Sequence, residues 1–114
     1  MIEFSMPIRT VSEANMREHW APKAKRVKSQ RGATLMCARA ALWKKKPMKP
    51  PLRITLTRVA PRKLDPGNIE VSFKAIQDGV AEAIGIDDGH ECLTWVYAQA
   101  KGDYSVTVRI EEEG

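Results

Sequence analysis

The sequence predicts one α+β domain across residues 1–114, a four-stranded mixed sheet with two helices in the order β-α-β-α-β-β. Three observations predict it. Apolar residues alternate with polar ones in several short segments, as in half-buried strands, and recur at helical spacing in two longer ones. No internal repeat divides the 114 residues, a length that supports one modest core. A composition of 43% hydrophobic and 29% charged residues is that of a packed fold, not of a disordered segment.

Ile2, Phe4 and Met6 face one way and Glu3 and Ser5 the other, which gives the first strand. Residues 7–15 read as irregular. A long helix begins near Pro22, a residue suited to the first helical position, and carries Ala24, Val27, Thr34, Leu35, Ala38 and Leu42 as its apolar stripe. Lys25, Lys28 and Arg39 share a neighbouring stripe. Arg31 falls within the apolar one, so its stem is expected to be buried and its head to reach a phosphate or a carboxylate. The basic, proline-rich run 44–51 ends this helix. Leu52, Ile54 and Leu56 alternate with Arg53, Thr55 and Thr57 as the second strand. Residues 60–65 form a loop into a second helix opened by Pro66. Its apolar side carries Ile69, Phe73, Ile76, Val80, Ala83 and Ile84, and Gly85 is its stop. Strands at 93–100 and 104–110 follow, and the Gly102-Asp103 pair between them predicts a tight hairpin.

The net charge of +5 is unevenly spread. Residues 1–63 hold 16 Lys and Arg against 3 Asp and Glu, a balance of +13, whereas residues 64–114 hold 3 against 11, a balance of −8. The basic half suits a phosphate backbone, because each neutralised phosphate releases condensed counterions. The acidic half repels one unless a cation sits on it. A divalent metal ion reconciles the two halves; the alternative is that they pair with each other across the fold. No apolar run approaches the ~20 residues needed to span a bilayer. The run Met1-Ile2-Glu3-Phe4-Ser5-Met6-Pro7 has an acid where a signal peptide has basic residues, and Cys37 and Cys92 stand in no metal-ligand spacing. A cytoplasmic protein with reduced thiols is therefore expected.

Residues 65–88 carry the chemistry. On a helical wheel position 67, Lys74 and Asp78 fall close together, opposite the apolar side of the second helix. Asp65 stands at the start of this helix and Asp87-Asp88 lie just past its end. Gathered carboxylates are what Mg²⁺ or Mn²⁺ requires, with few protein ligands, several retained waters and room for a substrate phosphate. Taken singly, Asp65 is a helix N-terminal acid and Asp87-Asp88 an exposed turn. Their arrangement around one Lys-bearing helix, beside a basic half, favours the metal reading.

The runs Lys63-Leu64-Asp65-Pro66-Gly67-Asn68, Lys74-Ala75-Ile76-Gln77-Asp78 and Ile84-Gly85-Ile86-Asp87-Asp88 resemble the RusA family of Holliday junction resolvases, most closely its phage-borne members. The segment from Asn15-Met16-Arg17-Glu18-His19-Trp20 through Lys25-Arg26-Val27-Lys28-Ser29-Gln30-Arg31 is also similar to the start of those members, and the element order agrees. The resemblance implies a homodimeric, Mg²⁺-dependent endodeoxyribonuclease, with Mn²⁺ as an alternative ion, that nicks branched four-way DNA symmetrically in recombination and repair. It implies Asp65 and Asp88 as metal-site aspartates, Lys74 as the catalytic lysine, and Asp78 and Asp87 as further acidic positions. A two-fold dimer also has a functional reason, since a pseudo-symmetric junction needs two equivalent cuts. The chain departs from the family pattern in two places. Gly67 stands where the pattern Asp-x-Asp-Asn has its second acid, and the step from Asn68 to Lys74 is longer by about one helical turn. Glu70 and Asp78 are candidates for the missing ligand.

The arms of the DNA are expected to lie on Lys23, Lys25, Arg26, Lys28, Arg31, Arg62 and Lys63, with Lys44, Lys45 and Lys46 as further phosphate contacts. Trp20 and Trp43 flank the basic helix and read as core anchors, with stacking on unpaired bases as the alternative. Trp95 and Tyr97 read as core or dimer contacts, and His90 as a loop residue. Two rival functions remain. One is a branched-DNA-binding protein that no longer cuts, for which Gly67 speaks. The other is a basic RNA-binding or regulatory protein whose acids are structural.

Overall fold

The alternation that marks the second strand runs further than its first six residues. In the computed structural model, which describes residues 1–10, 20–43 and 48–113, β2 (Leu52–Ala60) buries Leu52, Ile54, Leu56, Arg58 and Ala60 on one face. This strand is central. It pairs antiparallel with β4 (Ser105–Glu112) and parallel with β3 (Leu93–Lys101), and β4 pairs antiparallel with β1 (Ile2–Met6). The sheet order is therefore β1-β4-β2-β3. The four-stranded mixed α+β sheet expected from the sequence is present.

Two details differ from expectation. β3 and β4 do not form a hairpin, because β2 lies between them. Residues 102–104 instead step across the end of β2, with the Gly102 N–H donating to the Ala60 carbonyl at 3.1 Å. A turn signal in sequence reports a reversal of direction, not which strand fills the gap. The second helix is also two helices, α2 (Pro66–Ser72) and α3 (Lys74–Ile84), divided at Phe73 (φ −95°, ψ −4°). The Ser72 hydroxyl donates to the Ile69 carbonyl at 2.7 Å, and the Phe73 N–H donates to the Glu70 carbonyl at 3.2 Å. Both bonds reach back three residues, which tightens the turn and bends the axis. Phe73 itself is fully buried, with its ring stacked on Tyr97 at 5.9 Å between centroids. That burial is worth about 2–3 kcal/mol and anchors the bend.

The parallel β2–β3 pair needs a crossover, and α2 with α3 supply it. α1 (Trp20–Leu42) packs on α3 and β1. Thr34 and Ala38 of its expected stripe are buried and Val27, Leu35 and Leu42 half-buried, while Ala24 is exposed. The contact is close because α3 offers Gly79. A Cβ there would stand 2.8 Å from the Arg31 carbonyl and 2.9 Å from the Thr34 Cβ. α3 ends at Gly85 in the left-handed conformation (φ 85°), as its stop signal predicts. The sheet face turned away from the core is polar, with cross-strand pairs Glu3–Arg109 and Arg53–Glu111. No helix among the described residues is long and apolar enough to cross a membrane.

Candidate functional site

Lys74 opens α3 and Asp78 follows one turn later, so the helix itself brings their side chains together at 3.0 Å. Gly85 then turns the chain back toward β3. In this turn the Asp87 carbonyl accepts the His90 N–H at 2.9 Å and the Asp87 Oδ1 accepts the Gly89 N–H at 3.3 Å. The fold carries Asp88 to Lys74, with Nζ to Oδ2 at 2.8 Å. Asp88 is fixed from β3 as well, because the Trp95 indole N–H donates to its carbonyl at 2.8 Å. Gln77 completes the set. Its Nε2 donates to Asp88 Oδ2 at 3.2 Å, and its Oε1 accepts the Tyr97 hydroxyl at 2.6 Å. Tyr97, Gln77, Asp88, Lys74 and Asp78 thus form one continuous polar chain.

Two carboxylates therefore converge on one ammonium. The hydrogen bond from Lys74 holds the Asp88 carboxyl below its ordinary range, with partial burial acting against it. The bonds to Asp88 and then Asp78 hold the Lys74 ammonium above its ordinary value. Near neutral pH Lys74 is a fixed positive charge, not a proton acceptor, and Asp88 is an anion. Burial, then the charges of Glu70 and Asp88, push the Tyr97 phenol up, so it stays a neutral donor.

An open cleft of about 460 Å³ borders these residues, lined by Arg31, Asp78, Ala81, Glu82, Gly85, Ile86, Asp87 and Asp88. Arg31 is exposed, not buried along its stem as expected, and reaches the Glu82 carboxylate at 3.3 Å. The cleft thus gathers Asp78, Asp87 and Asp88, all expected from the sequence, and adds Glu82, which was not.

Asp65 is exposed at the N-cap of α2, without a side-chain capping bond, and joins neither the Lys74 pairs nor this cleft. The loop that carries it is held to β3 by Gln99, whose amide donates to the Leu64 carbonyl at 3.0 Å and accepts the Leu64 N–H at 2.8 Å. Lys63 lines a second cleft of about 440 Å³ with Ile69, Glu70, Tyr97, Ala98 and Gln99. Among the described residues no three His, Cys, Asp or Glu side chains stand close enough to hold a metal ion by themselves. Mg²⁺ does not need three, since it is commonly held by one or two carboxylates with retained waters and substrate oxygens. Asp78 and Asp88, already converging on one cation, fit that donor set.

Of the expected DNA contacts, Lys25, Lys28, Arg31, Arg62 and Lys63 are exposed and Arg26 is half-buried. The side chain of Lys23, that of Trp20, and Lys44, Lys45, Lys46 and His19 lie outside the described residues. Trp43 is 81% exposed, so it is not the core anchor it was expected to be. It follows α1 directly, beyond the part of the helix that packs on α3 and β1. Trp95 and Tyr97 pack against the core as expected, and their polar tips also build the site. His90 is a loop residue, its Nδ1 accepting the Cys92 N–H at 3.1 Å. Sequence reasoning missed Gln77, one turn from Lys74, and Gln99, in register with Trp95 and Tyr97. The period-2 pattern places Gln99 on the inner face, where a polar side chain needs a partner.

No family model matches the chain, and no solved structure does. The chain is similar to an uncharacterized protein of Xylella fastidiosa, 36% identical over 78 residues, which covers 65% of this chain. The chain spans about half, 51%, of the length of that curated relative.

Proposed function

We propose that this protein is a divalent-metal-dependent endodeoxyribonuclease acting on branched DNA, the activity that its resemblance to the RusA resolvases implies. The observation that carries the reading is the convergence of Asp88 and Asp78 on one cationic position, 2.8 and 3.0 Å from Lys74 Nζ, beside a cleft that also holds Arg31. Asp88 and Asp78 would hold the ion, with Asp87 and Glu82 beside them. Bound there, a divalent ion supplies an activated water and offsets charge developing at phosphorus. Lys74 holds that cationic position in the structure; with an ion on Asp88 and Asp78, its ammonium would turn to a phosphate oxygen and offset charge there. Gln77 and Tyr97 keep Asp88 oriented, because each holds the next through a hydrogen bond. Exposed Arg62, Lys63, Lys25 and Lys28 would take the arms. The protein would work as a two-fold dimer in the cytoplasm, making paired cuts.

A second reading has a specific observation in its favour. Gly67 occupies the position where the family pattern has an acid, so the chain binds branched DNA but cuts it poorly or not at all. A Mg²⁺ titration separates the readings. Nicking that saturates with Mg²⁺ and is lost in Asp88→Asn and Lys74→Ala supports the nuclease. Tight junction binding that ignores Mg²⁺, with no nicks at any concentration, supports the binding-only protein.

A further inference from the structure

Arg58 occupies a core position. It continues the inward stripe of β2 after Leu56 and is only 6% exposed. Its Nε donates to the Thr10 hydroxyl at 2.9 Å and its Nη1 to the Arg62 carbonyl at 2.7 Å. Both acceptors are neutral, and among the described residues no carboxylate pairs with it. Thr10 follows Arg9, whose guanidinium sits 4.6 Å over the Tyr104 ring and whose positive charge is felt at Arg58. Burial lowers the pKa of Arg58, and the positive charge of Arg9 acts in the same direction. Taking a guanidinium out of water beside a like charge is unfavourable unless an anion completes the site. A guanidinium has five N–H donors, more than these two bonds use, and its planar fork matches phosphate oxygens. Exposed Arg62 is tied to the same group through its carbonyl.

We propose that Arg58, Arg9 and Arg62, with Tyr104 and Thr10 around them, form an anion site for one phosphate group, separate from the Lys74 centre. Resting on the nucleic-acid reading above, we take that group to be a backbone phosphate of bound DNA. Arg58 lies opposite Gln99 in the β2–β3 register and Tyr97 lies opposite Leu56. The phosphate is therefore gripped about two residues, roughly 7 Å, further along the sheet than Tyr97, whose hydroxyl touches the reaction-centre chain. Such a contact fixes register without reading sequence.

The test uses the full chain and no metal, so a failure to nick does not affect it. Wild type, Arg58→Met, Arg9→Gln and Arg62→Gln are melted in sodium phosphate and in sodium chloride of equal ionic strength. Phosphate stabilises proteins generally by exclusion, so the reading is the difference between wild type and variants. A larger phosphate-dependent rise in Tm for wild type than for each variant is expected. Binding of each protein to duplex and junction DNA is then followed against salt. Loss of one phosphate contact should weaken binding about tenfold, equally across sequences, and lower the slope of log K against log salt by about 1. If Arg58→Met does not fold, the two exposed-arginine variants carry both readings. An equal rise in all four proteins overturns the site. A wild-type rise with an unchanged salt slope in the variants overturns the backbone assignment and leaves a site for free phosphate or a nucleotide. Loss of nicking with an intact phosphate effect concerns the Lys74 centre alone.

Discussion

Replacing Asp88 with Asn removes the charge that Lys74 approaches most closely, at 2.8 Å, while keeping the shape of the side chain. The Lys74 side chain is 63% exposed and that of Asp88 23%, so water screens the pair. It is worth about 0.5–1 kcal/mol, not the several expected of a buried pair. The Trp95 bond goes to the Asp88 carbonyl and survives the change. A loss of about 1 kcal/mol lowers Tm by roughly 3–5 °C for a chain of this size. The sign with pH follows from the two shifts. Asp88 is held below its ordinary value, so its contribution is full above that value and disappears as pH falls through the lower folded one. Lys74 is held above its ordinary value, so its contribution is full below that value and disappears as pH rises through the higher folded one. The gap between wild type and Asp88→Asn should be level between, shrink at both extremes, and narrow with added salt. Thermal unfolding across pH at low and high salt reads it. A gap that persists in strong acid, or that exceeds about 3 kcal/mol at neutral pH, would refute a half-exposed ion pair.

Four further substitutions separate structure from chemistry. A Cβ at exposed Gly67 meets nothing within 4 Å. Gly67→Asp should therefore be accommodated and stabilise the start of α2 by about 0.5–1.5 kcal/mol in urea unfolding. If the missing acid limits the site, the same variant nicks faster in Mg²⁺. Phe73→Ala empties the fully buried bend and should cost about 3–5 kcal/mol by denaturant midpoint, whereas Trp43→Ala, at an 81% exposed position, should stay within about 0.5. Asp65→Asn should change stability by less than about 0.5 kcal/mol, since its side chain makes no capping bond, while reducing nicking at least tenfold if it meets substrate or metal.

Strand and helix periods in the sequence account for the sheet, for α1 and for the Gly85 stop, because each follows from local sterics or one-sided burial. The split at Phe73 does not show in the apolar stripe, since Ile69, Phe73 and Ile76 keep helical spacing through it. It depends on the Ser72 and Phe73 bonds and on a stacking partner 24 residues away, Tyr97. The hairpin signal at Gly102-Asp103 could not report that β2 inserts between β3 and β4, because strand order is a tertiary property. In the site, Lys74 and Asp78 were legible as neighbours on one helix, and Asp87 and Asp88 as lying past its end. That Asp88, not Asp65, would reach Lys74 depends on how the turn after Gly85 folds back. Glu82 is a site residue only because Gly79 lets α1 approach and bring Arg31 beside it. Sequence reasoning missed Arg58, because the alternation was followed only to Thr57; one more step puts a charge in a core position.

The most direct test of the proposed activity is cleavage of an end-labelled four-way junction against a linear duplex of equal length, in Mg²⁺, Mn²⁺ or EDTA. Paired nicks confined to the junction, absent in EDTA and lost in Lys74→Ala, are the predicted result. Equal weak binding to both DNAs, with no metal-dependent nicks in either, would contradict it.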